Sequence, residues 1–210
     1  TYRNNSPEQS SALLERIDTA IENGVFLNSK TPKIPISISA SLADTLVIFD
    51  ELTADGTITD RPLIAADAGR PGMSFNDWLA APHKAARCAV LTGLQTQASE
   101  GFNKSTERPG NDLFMTAMDL LATGTETAVI SRWNVGGRIG IDLGIEFIKD
   151  RQRDKLSDNL LPAAVSWQRA VDLVTAERPD FNQEPRIKIT NSVIPNDATH
   201  PFFWAGYTLI

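Results

Sequence analysis

The sequence predicts a layered α/β domain with a mostly parallel central sheet flanked by helices. Three observations predict it. Short apolar or β-branched runs at 45–49, 88–92 and 127–131 are strand-length and bounded by turn residues. Segments of helical period alternate with them, at 112–122, 139–151 and 160–176. The run Cys88-Ala89-Val90-Leu91 is apolar on both faces, as in a parallel strand covered on both sides.

In chain order, Ser6-Pro7-Glu8 reads as a helix start, with Ser as cap, Pro at the first helical position and an acid in the first turn. Leu13, Leu14, Ile17, Ala20 and Ile21 continue at helical spacing until Asn23-Gly24. Residues 1–39 are thus expected to form an N-terminal helix and linker, with Pro32 and Pro35 breaking the chain. Thr45-Leu46-Val47-Ile48-Phe49 is the first clear strand, followed by the turn Ala54-Asp55-Gly56-Thr57. Residues 61–73 read as loop, and 74–79 as a short helix with Trp78 and Leu79 inward. The strand at Cys88 leads into a polar loop, 96–110. The helix 112–122, carrying Leu113, Phe114, Ala117, Met118 and Leu121, is closed by Gly124. The strand 127–131 turns at Trp133–Gly137 into an amphipathic helix at 139–151, and a third helix follows at 160–176. Phe202 to Ile210 reads as a closing strand, with 203–209 as its centre.

The 210 residues suit one sizeable core, and a single domain over 1–210 is expected. With 41% hydrophobic and 22% charged residues, the composition is that of a soluble globular chain. A net charge of −6 with scattered basic residues lacks the positive stripe that nucleic acid demands. No apolar run approaches the roughly 20 residues that cross a bilayer. The expected setting is therefore soluble, with the cytoplasm as candidate compartment, and the expected partners exclude nucleic acid and membrane. The start Thr1-Tyr2-Arg3, without initiator Met or leader pattern, is expected to belong to a longer protein. One cysteine and two histidines exclude a disulfide framework and argue against a Cys/His metal site. No phosphate-binding glycine spacing appears, and neither metal nor cofactor is expected.

Three stretches carry a resemblance. TGTETAVISRWNV resembles the strand and Ser-Leu-Trp-x-Val turn of CHAT domains. HPFFWAGYTLI resembles that family's closing strand, and CAVLTGLQTQ, with Asp55-Gly56 upstream, resembles its strand ending Leu-Ser-Ala-Cys-Glu-Thr-Gly. The resemblance covers roughly residues 40–210. It implies a three-layer, caspase-like cysteine-peptidase fold, often attached to helical repeats. Active members pair a His at one strand end with a Cys at the next. The imidazole takes the thiol's proton, and backbone N–H groups hold the oxyanion.

Matched position by position, the motif puts Leu91 on its Leu, Thr92 on its Ser and Gly93 on its Ala. Leu94 then stands in the nucleophile's place, followed by Gln95 for Glu and Thr96 for Thr. Leucine can neither lose a proton nor attack a carbonyl. No histidine precedes His83, so the family's upstream His is missing too. Cys88 lies six residues before Leu94, roughly 20 Å away at strand rise, and reads as a buried apolar thiol. His83 reads as a surface residue, His200 as a hydrogen-bonding residue at strand entry. Trp133 and Trp204 read as packing aromatics. Asp44, Asp50, Glu51 and Asp55 read as turn carboxylates, with a cation or basic side chain as the functional alternative. Asp50, Asp55, Arg132, Trp133 and Asn134 are the candidate lining of a vestigial cleft.

The resemblance thus implies a non-catalytic module that binds other chains or the rest of its own polypeptide. The alternative is one part of a peptidase whose active His and Cys lie in another segment or chain. A small-ligand receptor using the old cleft is a third reading.

Overall fold

The computed structural model describes residues 15–21, 43–48, 77, 80, 86–92, 111–132, 137–156, 161–180, 184 and 197–210. They fall into two units of packing. One comprises Leu27–Asn134 with Tyr207–Ile210, the other Thr1–Phe26 with Val135–Gly206.

The first of these holds the sheet, with strands in the order β1-β2-β3-β4. They are β1 (Thr45–Ile48), β2 (Cys88–Leu91), β3 (Thr127–Ser131) and β4 (Tyr207–Leu209). β1, β2 and β3 are parallel, and β4 is antiparallel to β3. The expected α/β class with a mostly parallel sheet is thus what the chain forms. Every residue of β2 and β3 is buried, as their continuous apolar character requires of interior parallel strands. β1 alternates, burying Leu46 and Ile48 while Thr45 and Val47 are half-exposed. The register aligns the amino ends: Thr45 opposes Cys88, and Cys88 opposes Thr127. The Arg87 carbonyl accepts from the N–H groups of Glu126 and Thr127, at 2.8 and 3.0 Å. Above it, the Arg87 guanidinium forks onto the Glu126 carboxylate at 3.0 and 2.8 Å, which raises the arginine's proton affinity further.

Helix α1 (Asn111–Ala122) links β2 to β3, as parallel neighbours need a crossover. Its end is a Schellman closure: Gly124 N–H donates to the Leu121 carbonyl and Thr125 N–H to the Leu120 carbonyl. Gly124 sits at φ 97°, a conformation that a Cβ would oppose.

The other unit contains a helical segment at residues 15–20, α2 (Gly137–Leu156) and α3 (Ala163–Thr175). Both α2 and α3 fall where helical period predicts them, α2 extending further at each end. Its expected amphipathicity is corrected: residues 139–145 are all buried. Alternating glycine and branched apolar residues make that stretch narrow enough to enclose. α3 begins after Pro162 and buries a narrow stripe, Ser166, Ala170 and Val174. Phe147 and Trp167 join the two helices edge to face, with centroids 5.8 Å apart. Arg151 Nη1 donates to the Leu161 carbonyl at 2.6 Å, tying the linker to α2.

The closing strand also needs correction. Pro201–Phe203 is a turn of 3-10 helix, and only Tyr207–Leu209 is strand. Proline fixes its own φ and brings no N–H to a ladder, whereas His200 caps the turn that it opens. The Ala205 N–H returns to the Pro201 carbonyl at 2.8 Å, so the chain straightens only after Gly206.

Candidate functional site

Sites in parallel α/β sheets form beyond the carboxyl ends of the strands. Thr92 follows β2 and is 3% exposed, and Arg132 follows β3 on the surface. The β2–β3 register ends at Leu91 opposite Ile130, so Thr92 and Ser131 are the next positions along. Ser131 in turn opposes Tyr207, and both are buried. The sheet therefore delivers three hydroxyl-bearing residues to one edge, and the exposed Arg132 is next in the chain after Ser131. Asp50, Asp55, Gly93, Leu94, Gln95, Thr96, Trp133 and Asn134 lie outside the described residues, as do Glu51 and His83. Asp44 is described and exposed; its carbonyl accepts from Cys88 N–H at 3.1 Å.

Cys88 stands at the amino end of β2, 9% exposed, between Thr45 and Thr127 in register. Three residues of strand, about 10 Å, separate it from Leu91 at the other end. The only thiol of the chain is thus at the wrong end of the strand for chemistry at Thr92.

His200 is exposed and its Nδ1 accepts from the Phe202 N–H at 3.2 Å. That bond leaves Nε2 to carry the proton in the neutral ring, and it spends Nδ1 on capping the 3-10 turn. Trp204 Nε1 donates to the Thr199 carbonyl at 3.1 Å, so this indole fastens the same turn.

A second polar group was not legible as such in the sequence. Within the helical unit, Asp142 of α2 is 4% exposed and Glu184 is 3% exposed. Asp142 lies 3.1 Å from Arg16 Nη2 and 3.3 Å from Arg138 Nε. The Arg16 contact is an ion pair by distance, but its angle makes no hydrogen bond to Oδ1. Burial nevertheless wins over both arginines and holds the Asp142 carboxyl above the usual range. Glu184 Oε1 accepts the Ile139 N–H at 2.9 Å, so a residue 45 positions away caps the first turn of α2. Burial pushes its carboxyl up to about 8, against the opposing pull of backbone N–H groups. Asp142 flanked by Ile139 and Ile145 at helical spacing was the available clue to a buried acid. Glu184 has no local signal at all. Chemically the pair can hold a proton near neutral pH, but both carboxyls are enclosed and serve the helix end.

Among the described residues, no group of three or more His, Cys, Asp or Glu side chains could hold a metal ion. No helix among them is long and apolar enough to cross a membrane. Comparisons with protein-family models, curated proteins and solved structures found no match.

Proposed function

We propose that this chain is a CHAT-like, caspase-type three-layer domain without peptidase chemistry of its own, acting as a protein-interaction module in a larger assembly. One observation carries the reading: the motif match puts Leu94 in the nucleophile's place, and the chain's one thiol, Cys88, is buried at the amino end of β2. A parallel β1-β2-β3 sheet closed by an antiparallel strand from the HPFFWAGYTLI motif is consistent with that resemblance. Loss of the nucleophile leaves the core intact, because packing does not depend on it and function resides in the site. The test is purification of the native complex under mild conditions. A stoichiometric second chain, or attached helical repeats, is the expected result. A chain that runs alone at its own mass in fresh extract would contradict the module reading.

A further inference from the structure

Helix α1 faces the wrong way for a helix that ends its interactions at its own sheet. Phe114 is 61% exposed, Met115 44%, Met118 47% and Leu121 43%. Among its residues 114–122, whose burial is described, the fully buried ones are Thr116 and Leu120. A helix usually turns its large apolar side chains inward and its small polar ones outward. Here four large apolar side chains are exposed, while Thr116, like Leu120, is buried. Positions 114, 118 and 121 follow i, i+4, i+7, so they form one stripe, with Met115 widening it. The Schellman closure at Gly124 fixes where the helix ends, and the face is presented on a regular element.

We infer that this face of α1 docks an amphipathic helix, with basic residues along its flanks, from a partner protein. The inference rests on the interaction-module reading and gives it a surface and a partner chemistry. Charge selects the partner. The helix sequence NDLFMTAMDLLA contains two aspartates and neither lysine nor arginine, and the whole chain carries −6. Asp119 is half-exposed and adjoins Met115 and Met118 along the helix. Like charges across an interface suppress association, whereas opposite ones steer it. An acidic helix or an anionic membrane is therefore disfavoured. Size selects against a second copy: four partly exposed side chains amount to a few hundred Å², short of the roughly 800 Å² per partner of a stable dimer. Two copies would also oppose their own aspartates. A single helix laid on the stripe matches both the area and the i, i+4, i+7 pattern. Two methionines let the surface adjust to the side chains that it receives.

The test uses the intact chain and two peptides of about 18 residues, five helical turns each. One is a leucine/lysine amphipathic helix and the other its leucine/glutamate counterpart. At physiological salt, fluorescence anisotropy should show saturable binding of the lysine peptide and none of the glutamate peptide. The double substitution Phe114→Ser with Met118→Ser should weaken binding at least about tenfold. Leu173→Ser, an exposed apolar residue on α3, should leave it unchanged. Asp119→Lys, which keeps the apolar stripe, should weaken the lysine peptide and admit the glutamate peptide. Equal binding by all variants, or equal weakening by Leu173→Ser, would overturn the proposal. So would a dimer dissolved by the double substitution, which assigns the face to a second copy, or stronger partition onto phosphatidylserine vesicles than onto the peptide. Peptidase activity in the purified chain would sink the module reading and leave these binding results standing.

Discussion

Glu184 and Asp142 are carboxyl groups that water would ionise at neutral pH, yet each sits almost wholly enclosed. The consequence is a pH dependence with a definite sign. Glu184 rises from 4.5 to about 8 on folding, so between those values the native state holds a proton that the unfolded chain has released. Its stabilising contribution is complete below about 4.5 and is lost as pH rises through about 8. Asp142, also raised, adds in the same direction. Unfolding free energy should therefore fall across Glu184's window, by at most about 1.4 kcal/mol per pH unit from that carboxyl. Glu184→Gln keeps an acceptor for the Ile139 N–H and should flatten the slope while changing stability at pH 6 by under about 1 kcal/mol. Urea titrations at several pH values check both; an unchanged slope in the variant would assign the proton elsewhere. Cys88 gives a second residue-scale prediction. Its alkylation by iodoacetamide in the native protein should be at least about a hundredfold slower than in urea, because the reagent must await opening of β2. The burial of Cys88 was legible from an apolar run. The cap by Glu184 was not, since nothing local in the sequence joins it to Ile139 across 45 positions.

At the scale of elements, periodicity found what local physics controls. β2, β3, α1, α2 and α3 stand where apolar spacing puts them, although spacing did not fix which face of α1 is buried: Phe114 and Met118 are exposed while Thr116 is enclosed. The closing strand was misjudged for a comparable reason: aromatic content argued for strand, but Pro201 and the His200 cap act within four residues and prevail. Ends set by tertiary partners were similarly illegible, as the early start of α2 at Gly137, φ 87°, illustrates. Two substitutions test this level. Gly124→Ala should destabilise by about 1 to 2 kcal/mol, the cost of a Cβ in the left-handed region. Ser166→Ala should be neutral or stabilising by up to about 1 kcal/mol. The Ser166 hydroxyl is buried without a hydrogen-bond partner, and alanine is the better helix former. Chemical-denaturation midpoints at constant slope decide both. A stabilising Gly124→Ala or a strongly destabilising Ser166→Ala would contradict the stated packing.

At the scale of the whole molecule, the strand end where a parallel sheet would build a site and the end that holds the thiol separate. The sheet delivers Thr92, Ser131, Tyr207 and Arg132 toward one edge, while Cys88 stays at the other. Composition argues against a polyanionic partner, because scattered basic residues and a net −6 lack the positive stripe that one needs. The candidate cleft residues were legible only as motif positions, and all but Arg132 lie outside the described residues. The central claim is that the chain has no peptidase chemistry of its own, and one measurement addresses it most directly. Purified chain is incubated with a diverse peptide library and the products are read by mass spectrometry, with Cys88→Ser in parallel. The account predicts product levels equal to buffer for both proteins. Cleavage by the native chain that disappears in Cys88→Ser, the variant lacking the only thiol, would contradict it.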